Sequence, residues 1–261
     1  MKNIRAYLTV LFVAISVLLQ SEIIEIEHMS EIKEFIDRDS LVVFDIDNTL
    51  IEPVQELGND QWFRYRMNQL MDEGKSVNEA LEQAVLDWEA IRNVTEMKLV
   101  ETEAAPIIEE LQAAKQPVIG LTTQSFSLAL RTTDHLNKLG IDLNATAVCH
   151  EPVMFLLDLP ILYLNGILFT NGCHKGKALD KFLLEARFNP KKIVFINDKK
   201  SHLHPVEEFC REKNISFVGL RYGYLDKKVE SFDPTVAEVQ WQHFGKILSD
   251  VEARAERLPK E

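Results

Sequence analysis

Short apolar runs alternate with longer amphipathic segments along most of the chain. The runs have the length and composition of strands buried on both faces, and they cover residues 41–44, 117–121, 161–170, 193–196 and 215–220. Helical patterns separate most of these runs, at about residues 105–115, 126–139, 176–187 and 203–213. Strands that alternate with helices predict an α/β fold with a doubly wound, mostly parallel sheet.

Local signals mark several ends of these elements. Residues 76–79 read SVNE, a capping box that predicts a helix running to about Ile91. Asn165-Gly166 divides the run 161–170 and predicts a β-hairpin. Gly140 is expected to end a helix, and Asp233-Pro234 to begin the final one.

Residues 53–104 interrupt the alternation of strands and helices. This stretch is long, polar and helical, so we interpret it as an insertion. The expected organisation is therefore a core formed by residues 22–52 and 105–261, with a helical domain at 53–104.

Composition narrows the class of protein. The 261 residues are 46% hydrophobic and 27% charged, with 10 Gly and 9 Pro, which excludes collagen-like and wholly disordered chains. The net charge of −12 argues against nucleic-acid binding, which needs a basic face. The oligomeric state is not indicated by these features.

The N-terminus has the pattern of an export signal. Lys2 and Arg5 precede an apolar run at residues 6–19, which is short for a bilayer span of about 20 residues but suits a signal-peptide core. We therefore predict that residues 1–21 are a signal peptide, either cleaved or kept as an inner-membrane anchor. The protein is then exported, periplasmic or secreted, and contacts a membrane only through that segment. A buried first helix is the alternative.

Two carboxylates follow the first apolar run. Asp45 and Asp47 are two residues apart, so they point the same way while the chain stays extended. Neighbouring carboxylates repel each other, and a divalent cation such as Mg²⁺ would offset that repulsion. One acid could attack phosphorus and the other could transfer a proton. An ordinary Asp/Asn-rich turn is the alternative.

The match extends beyond this pair. Residues 43–50 read VFDIDNTL and resemble the first motif of the haloacid dehalogenase (HAD) superfamily, most of whose members are phosphatases. Three further family motifs have counterparts in the same order. The second motif is a strand ending in Thr122, with Thr123 the less favoured choice. The third is Lys175 at a helix start, with Lys177 the less favoured choice. The fourth is a strand ending at Asn197-Asp198.

The resemblance implies a Mg²⁺-dependent phosphomonoester hydrolase that acts on a small phosphorylated substrate. Asp45 would be the nucleophile and Asp47 the general acid/base, while Thr122 and Lys175 would hold the phosphoryl group. Asp45, Asp198 and the main-chain carbonyl of Asp47 would be the metal ligands.

One position departs from the family pattern. Where the family often has two acids, this chain has Asn197 before Asp198, which removes one charge from the metal site. An alternative is therefore a HAD-fold protein that binds a phosphorylated ligand or a host partner without turnover. Residues 57–63, LGNDQWF, also resemble an uncharacterised bacterial branch of exported HAD proteins.

In this family an insertion between the first and second motifs forms a cap over the site, and residues 53–104 occupy that place. The expected substrate-contacting residues are Asn59, Asp60, Trp62, Phe63, Arg64 and Arg66. Alternatively, Asp60 caps a helix, the two aromatic residues pack against the core, and the arginines are solvated.

Cysteine and histidine pairs flank the predicted hairpin. Cys149-His150 and Cys173-His174 match no standard zinc spacing, so a zinc site is not expected. If the chain is exported, a Cys149–Cys173 disulfide remains an open alternative. His202 lies beside Pro205 at a predicted helix start, near the mouth of the expected site at most.

Overall fold

The computed structural model describes residues 21–243 and 247–257. Its strands are β1 (Ser21–Ile26), β2 (Ser40–Phe44), β3 (Ile51–Pro53), β4 (Met97–Leu99), β5 (Val118–Thr122), β6 (Val153–Leu156), β7 (Pro160–Leu164), β8 (Ile167–Phe169), β9 (Lys192–Asn197) and β10 (Ser216–Tyr222). Its α-helices are α1 (Asp60–Asp72), α2 (Val77–Val94), α3 (Ala104–Ala113), α4 (Ala129–Lys138), α5 (Lys175–Glu185), α6 (Lys200–Lys213), α7 (Asp226–Glu230), α8 (Pro234–Gln242) and α9 (Asp250–Ala255). Short 3-10 helices lie at Met29–Phe35 and Phe126–Leu128.

One large sheet organises the described part of the chain. Eight strands follow the order β1-β10-β9-β2-β5-β8-β7-β6. The pairs from β1 to β8 are parallel, whereas β7 is antiparallel to both β8 and β6. β3 and β4 form a separate antiparallel pair. The predicted α/β class with a mostly parallel sheet is confirmed.

The sheet is covered on both faces. Val42 and Phe44 of β2 belong to a core cluster with residues of α3 and α4, whereas Leu41 and Val43 belong to a cluster with residues of α5 and α6. All four side chains are fully buried, and each contributes roughly 1.5–3 kcal/mol through removal of apolar surface from water. A continuous apolar run is therefore what a two-sided strand requires.

The local signals in the sequence are confirmed. Ser76 and Glu79 form the capping box at the start of α2, which continues three residues past Ile91. Asn165 and Gly166 connect β7 and β8 with φ values of 51° and 78°, as a type I′ hairpin turn requires. The side chain of Asp233 caps α8 as predicted, but α8 is not the final helix, because α9 follows it.

Two edge strands, β1 and β6, were not among the predicted strands, and one helix begins earlier than predicted. β1 begins at Ser21, a residue assigned to the leader; it pairs with β10 only, and its sequence mixes Glu with Ile. The rest of the predicted leader, residues 1–20, lies outside the described residues. α6 begins at Lys200, so Pro205 lies inside the helix and leaves one intrahelical hydrogen bond unmade.

Within residues 53–104, interpreted from the sequence as an insertion, α1 and α2 form a helical pair and β4 is a short strand. Leu70 of α1 packs with Ala80 and Ala84 of α2, and Trp62 packs with Ile91. The helical pair lines the same cavity as Asp45 and Asp47, so it lies beside the carboxyl end of β2. Over residues 21–243 and 247–257, none of the helices has both the length and the apolar character that a membrane crossing needs.

Candidate active site

The carboxyl ends of β2, β5 and β9 meet at one edge of the sheet, because the three strands are parallel neighbours. Open α/β sheets bind ligands at this edge. Asp45 directly follows β2, Thr122 ends β5, and Asn197 ends β9. Lys175 reaches the same edge from the first position of α5. The residues predicted as a site from sequence are thus on one side of the fold.

Asp45 is held by three donors. Lys175 Nζ lies 2.9 Å from its Oδ1, which also accepts from the Ile46 amide at 2.9 Å, and Asn197 Nδ2 donates to Oδ2 over 2.7 Å. Burial opposes ionisation of Asp45, but the charges of Lys175 and His202 outweigh it and hold its pKa well below the ordinary value. Asp45 is therefore an ionised carboxylate.

Asp47 has the opposite electrostatic character. Burial raises its pKa, the nearby charges of Asp60 and Asp45 add to the rise, and Arg92 opposes it. Arg92 Nη2 lies 2.7 Å from Oδ1, and Gln124 Nε2 donates to Oδ2 over 2.8 Å. A carboxyl group with a raised pKa can hold and release a proton nearer neutrality, which suits a general acid/base.

Arg92 and Gln124 were not among the residues expected from sequence. Arg92 is buried on α2 with its guanidinium 4.9 Å from the centre of the Trp88 ring. Gln124 Oε1 accepts from Thr132 at 2.6 Å, which fixes its amide toward Asp47. The spacing of Trp88 and Arg92, one helical turn apart, was a signal that the two residues share a face of α2.

Lys175 depends on its neighbour for its position. It is 2% exposed, and Gly176 follows it where α5 approaches α6. A Cβ atom at Gly176 would lie 1.9 Å from the carbonyl oxygen of Pro205, closer than real atoms approach. Glycine therefore permits the contact between helices that places the Lys175 ammonium beside Asp45.

The side chains of Asn197 and Asp198 differ in their hydrogen bonds. The Asn197 side chain donates to Asp45 and accepts from the Lys199 amide at 2.8 Å. Asp198 Oδ1 is buried without a hydrogen-bond partner among the described residues. Burial and the charges of Asp45 and Asp60 raise the pKa of Asp198 to about 7, although Lys199 opposes the rise.

The donor set fits a hard divalent cation. The unsatisfied Asp198 Oδ1 and the carboxylate of Asp45 are oxygen ligands of the kind that Mg²⁺ prefers. Gln124 donates to Asp47 Oδ2, whereas Asp47 Oδ1 lies in an ion pair with Arg92 without forming a hydrogen bond. Because both side-chain oxygens face these groups, the main-chain carbonyl is the ligand that Asp47 offers. Within the described ranges, no group of three His, Cys, Asp or Glu side chains is arranged to hold a metal, so the fit rests on two carboxylates and a carbonyl.

Thr122 lies at the expected strand end and is buried, with its Oγ1 accepting from the Gln124 amide at 3.1 Å. Thr123, the less favoured choice, lines the cavity above Asp45 and Asp47. That cavity has a volume of about 870 Å³. Its other walls come from the helical pair, the loop before β7 and the turn before α5.

The start of α1 differs from the alternative in which Asp60 caps the helix. Asn59 is the N-cap residue, and its Oδ1 accepts from the Trp62 amide at 2.7 Å. Asp60 instead forms an ion pair with Lys199, which joins the helical pair to the loop after β9. Trp62 is buried, as the packing alternative expected.

Other candidates divide between the cavity and the surface. Phe63 and Arg64 line the cavity, whereas Arg66 is paired with Asp87 at 2.8 Å. His202 also lines the cavity, with Nδ1 3.9 Å from Asp45 Oδ2. The helix containing His202 thus contributes to the site itself, not only to its mouth.

The three cysteines are not paired with one another. Cys149, Cys173 and Cys210 are free thiols. Cys149 Sγ donates to the Glu151 carbonyl and Cys173 Sγ lies near the Leu159 carbonyl. A Cys149–Cys173 disulfide is therefore not present in the structure.

Comparison with known proteins places the chain in a family. A Chlamydia pneumoniae protein named "Putative outer membrane protein" is 26% identical over 89% of this chain and 88% of its own length. One of the same name from Chlamydia trachomatis serovar D is 25% identical over 92% of this chain and 93% of its own. A haloacid dehalogenase-like family hydrolase from Streptococcus pneumoniae superposes with a TM-score of 0.44 at 16% identity, over 69% of this chain and 92% of that chain. A family model matches residues 25–254, so the chain belongs to the family described as "Protein of unknown function (DUF2608)".

Proposed function

We propose that the chain is a Mg²⁺-dependent phosphomonoester hydrolase of the HAD type, acting through an aspartyl-phosphate. The observation that carries the proposal is the contrast between two neighbouring acids. Asp45 is kept ionised beside Lys175, whereas Asp47 has a raised pKa. Two carboxyl groups with opposite shifts are suited to the separate roles of nucleophile and acid/base.

The reaction would proceed in two displacements. In the first, a carboxylate oxygen of Asp45 attacks phosphorus, the bond from phosphorus to the ester oxygen breaks, and Asp47 gives its proton to the departing alcohol. In the second, Asp47 takes a proton from water, the water oxygen attacks phosphorus, and the bond to Asp45 breaks. The products are the alcohol and inorganic phosphate, and both acids return to their starting states.

The remaining residues would hold the phosphoryl group and the cation. Lys175 and the hydroxyl of Thr122 would bind phosphoryl oxygens, Lys175 as a point charge. Asp45, Asp198 and the main-chain carbonyl of Asp47 would hold Mg²⁺, which when bound neutralises charge that develops on the phosphoryl oxygens. Asn197 would orient Asp45 through the 2.7 Å hydrogen bond.

The test uses Asp47→Asn and an activated phosphate ester. A good leaving group needs little protonation, so the phospho-enzyme should form, while its hydrolysis should slow by about 10²–10⁴-fold because water loses its base. Mass spectrometry after a short pulse should find a phosphoryl group on the peptide that contains Asp45. Asp45→Asn should show none, and Asp39→Asn, an acid on an exposed turn, should behave as the unmutated protein.

A phosphoryl group on a His or Ser would overturn the aspartyl-phosphate. Binding without turnover is the second candidate, and it is favoured by the ion pair with Arg92 and the hydrogen bond from Gln124, which hold the Asp47 side chain. No hydrolysis across a broad phosphomonoester panel with Mg²⁺, together with saturable binding of a phosphonate, would replace the phosphatase by that candidate.

We further propose that the chain is exported. Two observations support this: the apolar run at residues 6–19, and the similarity to chlamydial proteins named as outer membrane proteins. Fractionation of expressing cells should place the full chain outside the cytoplasm, whereas a chain lacking residues 1–20 should stay inside. Equal distribution of the two forms would contradict export.

The helical pair is proposed to act as a cap that selects the substrate, since it lines the cavity above Asp45 and Asp47. Replacing Leu86 of α2, which is 62% exposed, by Ser should change KM between substrates of different size. The kcat for the smallest ester should not change. Unchanged KM values across the panel would place selection elsewhere.

A further inference from the structure

We propose that the substrate is the phosphate monoester of a large apolar alcohol that carries no second anionic group. This inference rests on the proposed phosphohydrolase function and adds to it the class of the leaving group. It comes from the surface that α2 presents to the cavity.

One stripe of α2 leads along the cavity to the candidate acid/base. Leu81, Val85 and Trp88 line the cavity, and Arg92 follows at the same helical spacing of four, three and four residues, so the four side chains share a face. Arg92 ends the stripe at Asp47. An alcohol attached to a phosphoryl group at Asp45 would therefore lie along apolar side chains.

The fold uses only part of this stripe for its own packing: Trp88 packs with Trp62 and Ile91, whereas Leu81 and Val85 belong to none of the core clusters of the described residues. α2 packs against α1 through Ala80 and Ala84, and Ile91 packs in the cluster with Trp62. Leu81 is 42% exposed although it faces the cavity. An apolar surface that remains open inside a concave site is a binding surface, since burying it elsewhere would have stabilised the chain.

Apolar side chains also stand on the other sides of the cavity. Phe63 contributes from α1 and Leu159 from the loop before β7. The cavity volume of about 870 Å³ is within the range of roughly 300–1,000 Å³ typical of small-molecule sites. A phosphoryl group occupies a small part of it, which leaves room for a long alkyl chain or a ring system.

The charges around this apolar surface disfavour a second anion. Glu82 and Glu89 of α2 and Asp158 opposite them line the cavity. Among the cations of the wall, Lys199 is paired with Asp60, and Arg64 is exposed. A leaving group with a carboxylate or another phosphate would be repelled by these three acids, whereas a neutral leaving group would not be repelled.

The test separates the class of ligand from turnover by using two matched series. The first is n-alkylphosphonates from ethyl to octyl, which cannot be hydrolysed and whose binding to the full chain is measured by calorimetry with Mg²⁺ present. The second is the corresponding n-alkyl phosphates, followed by phosphate release. Burial of each methylene should raise affinity and kcat/KM about twofold to fourfold, until the cavity is full.

Three further probes address specificity. Aryl phosphates test whether ring systems are accepted as well as alkyl chains. A preference for either the aryl or the long alkyl esters supports an apolar leaving group. Octyl derivatives that end in a carboxylate should bind at least about tenfold more weakly than plain octyl. Leu81→Ser should remove most of the chain-length dependence, because it replaces an apolar side chain of the proposed binding surface with a polar one. Leu184→Ser, at a leucine 74% exposed on α5 and outside the cavity lining, is the control.

The outcomes distinguish this inference from the proposed function. Affinity for the phosphonates that rises with chain length, without hydrolysis of any ester, would support the ligand class and contradict the phosphatase function. Hydrolysis that does not depend on chain length, or that favours the carboxylate-bearing esters, would overturn the ligand class and keep the phosphatase. Failure of both binding and hydrolysis would overturn both.

Discussion

The ion pair between Arg92 and Asp47 should show strong energetic coupling. The two groups are 2.7 Å apart, and their side chains are 3% and 14% exposed. When Asp47 is ionised, the attraction between the two unit charges at this distance is about 6 kcal/mol at an effective dielectric constant of about 20. Desolvation of both groups offsets part of that attraction, so we expect a net coupling of about 2–4 kcal/mol.

The perturbation is Arg92→Met, which retains much of the apolar stem that lies against Trp88 and removes the charge. It leaves Asp47 buried without its cation, and breaking a buried pair in this way costs about 3–5 kcal/mol of unfolding free energy. Asp47→Asn and the double variant complete a double-mutant cycle. In the double variant the loss should be much smaller than the sum of the two single losses.

The assay is urea unfolding of the four proteins at neutral pH, with the free energy of unfolding extrapolated to water. Arg66→Met is the matched control, because Arg66 pairs with Asp87 on the same helical pair but does not contact Asp47. A coupling energy below about 0.5 kcal/mol between Arg92 and Asp47 would refute the reasoning, since it would mean that solvent screens the pair.

Three other predictions concern the cation, a helix contact and a buried histidine. Asp198→Asn should raise the Mg²⁺ concentration needed for half-maximal turnover about tenfold or more with little change in unfolding; unchanged Mg²⁺ dependence contradicts its role as a ligand. Gly176→Ala should destabilise the fold by about 3 kcal/mol or more, because its Cβ would meet the Pro205 carbonyl. Gly74→Ala, with φ of +94° and nothing within 4 Å, should cost only about 1 kcal/mol, and equal urea midpoints for the two variants would contradict this. Burial, aided by nearby arginines, lowers the pKa of His135 from 6.5 to about 4. As the pH falls, the unfolded chain therefore takes up a proton on His135 before the folded chain does. The free energy of unfolding should fall by up to about 3 kcal/mol as the pH drops from 6.5 to 4. In His135→Gln the urea midpoint should depend less on pH across this range. A pH profile identical to that of the unmutated protein would exclude a contribution from His135.

The strand-end residues of the site could be predicted because their signals are local. Asp45 and Asp47 follow an apolar run directly, and Asp198 follows another, so the parallel sheet alone brings them to one edge. The contacts that set their chemistry are between residues distant in sequence. Arg92 reaches Asp47 from a helix 45 positions later in the chain, and only the packing of α2 decides which of its polar residues points inward.

The errors in the fold prediction have a similar origin. β1 pairs on one side only and has a partly exposed face, so its Glu residues hide the strand from an argument based on apolar runs. β6 is the other edge strand, and its burial alternates between intermediate and exposed. Asp60 has the sequence position of a helix cap, yet Lys199 attracts it and Asn59 takes the capping role.

The contact between Arg92 and Asp47 constrains how this protein can be altered by recombination. The helical pair is one continuous stretch of the chain. It could therefore be regarded as a unit to be exchanged for the corresponding helices of a relative. An exchange that replaced Arg92 with a neutral side chain would leave the Asp47 carboxylate buried without a cation at the carboxyl edge of the sheet. Viable chimaeras should therefore carry a cation at the end of α2, or an amide in place of Asp47, and the specificity of the cavity cannot be transplanted without that residue.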